Sequence, residues 1–131
     1  MKFRYLLPAI LWSVIIFFII AIRGSRIPDS ALFYIPHFDK LLHAGIFFVL
    51  SILLLWGLIK QKKNKKAIPY IITLLFCVIY GGVTEIIQHF FVDGRSGEIA
   101  DFAANTIGSL IGVAGFYYMK NNHYLQRFFS L

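Results

Sequence analysis

Four apolar segments fill most of this chain, and each is long enough to cross a bilayer as a helix. The run 5–22 is uncharged and lies between Arg4 and Arg23, and the run 41–59 is broken only by His43. The run 67–84 continues past Glu85 to Phe91, and 102–119 is the fourth, with Asn105 near its start. About 20 mainly apolar residues span the hydrocarbon core as a helix, which satisfies its own backbone groups where water is absent. The pattern predicts an all-α polytopic membrane protein with four transmembrane helices. The spans are expected at about 5–22, 39–59, 67–91 and 100–119, within one domain covering 1–131.

Composition agrees. Of 131 residues, 59% are hydrophobic and only 15% charged, and the mean hydropathy is +0.74. Such segments lack the polar face of a helix lying on a soluble core. The first segment is longer than a signal-peptide core, and Ala21-Ile22-Arg23-Gly24 offers no small-x-small cleavage site, so it reads as a retained span.

The formal charge of +7 is placed rather than spread. Lys60, Lys62, Lys63, Lys65 and Lys66 crowd the loop between the second and third segments, while Lys2, Arg4, Lys120 and Arg127 sit near the termini. Cytoplasmic segments collect Lys and Arg, so both termini and the lysine loop are expected inside, with Arg23, Arg26, Lys40 and Arg95 outside. The lysine run suits anionic lipid heads. No nucleic-acid recognition module accompanies the charge, so no nucleic-acid partner is expected. Cys77, the sole cysteine, sits mid-segment and reads as packing. The expected setting is a bacterial plasma (inner) membrane.

Nearly all the polar residues of the apolar segments fall at one end. Asp39 and His43 open the second segment, Glu85, Gln88 and His89 close the third, and Asp101 and Asn105 open the fourth. Consecutive spans run in opposite directions, so all these groups reach the outer face. At 1.5 Å per residue, His43, Glu85 and Asn105 each lie about 7–9 Å below the interface. Asp39 with His43, Glu85 with His89, and Asp101 with Asn105 are four apart and share helix faces. Arg95, in the short loop after the third segment, is near enough to bridge or cap the acids. Below Asn105, Gly108, Gly112 and Gly115 form a small-residue stripe suited to close helix packing. Gly81 and Gly82 suggest the same beneath Glu85.

The motif Pro36-His37-Phe38-Asp39-Lys40-Leu41-Leu42-His43, followed by Phe47, resembles the first signature of VanZ-like membrane proteins. Glu85-Ile86-Ile87-Gln88, then Arg95, then Asp101-Phe102-Ala103-Ala104-Asn105-Thr106-Ile107-Gly108 resembles the second. The resemblance covers residues 36–115. It implies a cell-envelope setting, since the family's named member is associated with lowered susceptibility to the lipoglycopeptide teicoplanin. It supplies no reaction.

Each polar residue also has a plain structural role. Asp39 and Lys40 suit interfacial anchoring, with Lys40 snorkelling outward, while His43 and Asn105 suit interhelical hydrogen bonds. Asp101 suits a helix cap. His89 lies outside the signature and reads as interfacial. Ionisable groups are costly below the interface, and Glu85 is the hardest to explain by packing. The expected functional set is Asp39, His43, Glu85, Gln88, Arg95, Asp101 and Asn105. Three chemistries stay open: recognition of an anionic or sugar-bearing headgroup, acid/base work by a carboxylate with His43, and a divalent metal. No zinc pattern of the H-E-x-x-H kind occurs, so no metal or cofactor is assigned. Binding or modulating a lipid-linked or glycopeptide-related envelope component is the first expectation, with membrane lipids as partners. A membrane-embedded enzyme is second, and a proton-coupled transporter third. The glycine stripe leaves a homodimer open.

Overall fold

The computed structural model describes residues 3–22, 37–62, 67–91 and 98–121. After a single 3-10 turn at Phe3–Tyr5 come four helices: α1 (Leu7–Ile22), α2 (Phe38–Lys62), α3 (Ile68–Phe91) and α4 (Ile99–Asn121). Among the described residues there is no strand. Helices α2, α3 and α4, of 25, 24 and 23 residues, are long and apolar enough to cross a membrane. Helix α1 has 16 residues, a rise of about 24 Å against a hydrocarbon core of about 30 Å. It is shorter than the first of the four expected spans, and the lysine loop 63–66 lies outside the described residues.

The bundle is organised by α2 against α4, its most extensive helix pair. Glycine makes this possible. A Cβ on Gly108 would collide with the backbone carbonyl of Ala44, and one on Gly112 with Ser51 Oγ and the Phe48 carbonyl. Both contacts keep the same chain offset, so α2 and α4 run parallel, with α3 returning between them. The expected small-residue seam therefore exists, and α2 occupies it. Gly115 stands apart from that expectation: nothing lies within 4 Å of where its Cβ would be. Seven residues on from Gly108 it keeps nearly the same helix face, so the close approach of α2 is confined to Gly108 and Gly112.

Two apolar clusters fill the interior. Ile16, Phe47, Leu50 and Cys77 form one, flanked by Trp12, Ile46 and Tyr80. Leu55, Val113 and Phe116 form the other, flanked by Trp56, Tyr70 and Met119 among others. Helix α1 is tied on by polar bonds: Trp12 Nε1 donates to the Ile46 carbonyl at 2.9 Å, and Tyr80 OH to the Ser13 carbonyl at 2.6 Å. The outer surface stays apolar. On α3, Ile72, Leu75, Ile79, Val83, Ile86 and Phe90 are all exposed at helical spacing, a face that suits lipid tails rather than water.

Candidate functional site

The helix ends bring the polar residues together. Because α2 and α4 run parallel and α3 runs against them, the starts of α2 and α4 meet the end of α3. The α2 start is marked by His37, in the left-handed region at φ 65°, whose carbonyl accepts the Leu41 amide at 3.2 Å. The α4 start is marked by the Glu98 carbonyl, which accepts the amides of Asp101 and Phe102. Asp101 sits in that first turn, where the helix dipole favours a carboxylate.

At the centre is Asn105, fully enclosed. Its Nδ2 donates to Glu85 Oε1 at 3.1 Å, and its Oδ1 lies 3.1 Å from His43 Nδ1. An amide oxygen only accepts, so His43 Nδ1 carries the hydrogen of that contact. Glu85 Oε1 is also 3.6 Å from His43 Nδ1. The other ring nitrogen, Nε2, faces Asp39 Oδ2 at 4.0 Å. Gly81 makes room for the arrangement: a Cβ there would stand 3.3 Å from Asn105 Cβ. His43, Glu85, Gln88, Asp101 and Asn105 are all buried, with His43 and Gln88 only 2% exposed. Gln88 Nε2 has no hydrogen-bond partner among the described residues.

Of the expected set, the structure joins His43, Glu85 and Asn105 directly and sets Asp39 and Asp101 beside them. Arg95 lies outside the described residues. Lys40 and Glu98 join the layer beyond that set. Lys40, read as an outward anchor, instead turns onto α4, with Nζ 2.8 Å from Glu98 Oε2 and 3.0 Å from Asp101 Oδ1. The available signal was the three-residue spacing of Glu98 and Asp101, which puts two carboxylates on one helical face. Asp39, His43 and Asp101 each offer a ligand atom, all within 4.8 Å of one another. That is a donor set of two carboxylates and one imidazole.

Beside the layer, a groove of about 480 Å³ separates α3 from α4. Gly82, Ile86, Phe90, Ile99 and Phe102 give it apolar walls, while Glu85, His89 and Glu98 supply its polar groups. Its volume lies within the roughly 300–1,000 Å³ of small-molecule sites. Ile86, Phe90 and Ile99 are 57%, 71% and 88% exposed, so the groove opens sideways from the bundle. His89 is thus a groove residue, its ring edge-on to Phe90 at 4.9 Å.

The family model described as VanZ/LLP1 matches residues 5–120. The chain belongs to the VanZ/LLP1 family. The match reaches from the 3-10 turn into the last turns of α4, well beyond the motifs at 36–115. VanZ/LLP1 membership and three long apolar helices make this a membrane protein of the VanZ type. No curated protein and no solved structure matches it.

Proposed function

We propose that this protein binds an amphiphilic cell-envelope component at the polar layer, with the apolar part of the ligand in the α3–α4 groove. One observation carries the reading. Glu85 belongs to both features: it accepts from Asn105 inside the layer and lines the groove outside it. A ligand in the groove would therefore meet a carboxylate already fixed by a buried amide. Such a carboxylate favours a headgroup rich in N–H or O–H donors, as ammonium-bearing lipids and sugars are.

The proposed topology completes the reading. All four helices cross a bacterial plasma membrane, the termini and lysine loop face inward, and the layer faces outward. A homodimer remains compatible but would use another surface, since Gly108 and Gly112 already face α2. Native mass spectrometry of the purified protein tests the binding claim. The wild type should carry a co-purified amphiphile. Gly82→Leu should lose it, because a Cβ at Gly82 meets only Phe102 Cε2, at 3.6 Å, and a longer side chain extends into the groove. Equal occupancy in both proteins would refute the groove.

A membrane-embedded enzyme is the second reading. His43 favours it, held by Asn105 through one nitrogen while the other faces Asp39. This is how an imidazole is oriented for proton transfer. Chemical change of the bound amphiphile over time, absent in His43→Gln, would select this reading over binding alone.

A further inference from the structure

The two ends of the bundle differ in charge. Every Asp and Glu lies in 29–39, at 85 or in 93–101, in or beside the connections at the polar layer. At the opposite end α1 begins, α2 ends, α3 begins and α4 ends. That end carries Lys and Arg before α1, along 60–66 and from Lys120 onward, and no acidic side chain. With no side-chain carboxylate to balance them, these cations suit a partner that is itself anionic.

Arg4 is held in a defined setting there. Its guanidinium carbon stands 4.9 Å from the centre of the Tyr5 ring, and Nη2 donates to Tyr5 OH at 3.0 Å. Tyr5 in turn is edge-on to Trp56 of α2, with ring centres 6.0 Å apart. Gly57 lets the 3-10 turn come this close, since a Cβ there would collide with the Tyr5 carbonyl. The turn is thus fixed against α2, and the guanidinium is fixed on the turn. Arg4 is exposed and has no carboxylate partner among the described residues. Its planar fork keeps further N–H donors for a bidentate oxyanion. Lys60, one turn beyond Trp56, shares the helix face of that ring. From Arg4, an apolar strip runs along α1, where Leu7, Leu11, Val14 and Phe18 are exposed at helical spacing.

We propose that this end of the bundle binds an anionic phospholipid. The Arg4 fork takes the phosphate, Lys60 adds a second positive charge, and an acyl chain follows the α1 strip. The strip favours a lipid over a nucleic acid, which has no use for an apolar face one turn from the phosphate. The Tyr5–Trp56 pair agrees, because such rings belong at headgroup level. The site lies at the opposite end from the polar layer and does not rest on ligand binding there.

The experiment titrates the full chain in detergent with phosphatidylglycerol and, separately, with phosphatidylethanolamine, and reads bound lipid by native mass spectrometry. The wild type should prefer phosphatidylglycerol by roughly fivefold or more. Arg4→Gln should remove that preference. Arg4→Lys, which keeps the charge and loses the fork, should keep only part of it. Lys63→Gln, within the lysine run, should cost less than Arg4→Lys does. A second readout needs no variant: in nanodiscs, phosphatidylglycerol with a diazirine on its chain should mark Leu7 and Leu11 more heavily than the matching phosphatidylethanolamine does. Equal retention of the two lipids, equal marking by them, or a full preference in Arg4→Gln would overturn the site. So would a loss in Arg4→Gln that Lys63→Gln matches and Arg4→Lys lacks, which is diffuse attraction to a basic end. Displacement of phosphatidylglycerol by short single-stranded RNA at equal phosphate would make the partner a nucleic acid and overturn it as well.

Discussion

Asn105 on α4 holds Glu85 on α3 through a single amide hydrogen bond of 3.1 Å, and both residues are buried. Neither residue is explained by apolar packing. A buried carboxylate is costly unless charge or hydrogen bonds compensate it, and Asn105 supplies one such bond while its carbonyl orients His43. The protein thus links three helices at one end through a polar contact and joins them below by close packing.

Asn105→Leu should destabilise the protein. It keeps the side-chain volume approximately but strips a donor from Glu85 and an acceptor from His43. Leaving buried groups without such partners costs about 1–3 kcal/mol each. Thermal unfolding in detergent, read by circular dichroism, should show a clear fall in midpoint. Asn105→Gln, which keeps the amide on a longer arm, should recover only part of it.

The glycines should separate by what faces them. Gly112→Leu drives a branched side chain into Ser51 and the Phe48 carbonyl and should abolish folding. Gly115→Ala, in open space, should be neutral or stabilising by up to about 1 kcal/mol, since alanine is the better helix former. Leu110→Ile, on an exposed position, should be mild. Yields of folded protein by fluorescence-detected size exclusion give the ranking.

Lys40→Gln should lower stability by about 1–3 kcal/mol: its pair with Glu98 is exposed and screened, but the change also strips the buried Asp101 carboxylate of its charged partner. Unfolding midpoints compared at low and high salt check this. The wild type should lose a little stability with salt, and the variant should be less sensitive.

The proposed topology has a direct readout. Cysteines placed at Ser30 and Ser96 in a Cys77→Ala background should react with an impermeant thiol reagent on intact cells, and one at Asn64 should not. Labelling at Asn64 alone would invert the protein and put the polar layer inside.

The helical bundle was legible because its signals are large: unbroken apolar runs and polar residues confined to their ends. The layer was legible for a related reason, since antiparallel succession forces Asp39, Glu85 and Asp101 to one end whatever the packing. The turn of Lys40 onto Glu98 and Asp101 was not, because a long flexible side chain at an interface can go outward or across with similar local geometry. Gly115 lies on nearly the same face as Gly108, but spacing along one helix fixes a face and not how far the neighbouring helix stays close. The groove could not be read at all. Phe90 and Phe102 look like ordinary lipid-facing residues, and Gly82 like a packing glycine, until α3 and α4 are set side by side.

The most direct test of the account is where a lipid chain touches the protein. Full-length protein in vesicles of phosphatidylethanolamine and phosphatidylglycerol, doped with a phosphatidylethanolamine bearing a diazirine on its chain, can be photo-crosslinked and mapped by peptide mass spectrometry. Adducts should concentrate on Ile86, Phe90, Ile99 and Phe102 and fall about tenfold in Gly82→Leu, an overpacking effect expected from filling the groove. Adducts spread evenly along the apolar perimeter, at Ile72, Leu75, Leu110 and Ile111 as much as at the groove, and unchanged by Gly82→Leu, would contradict it.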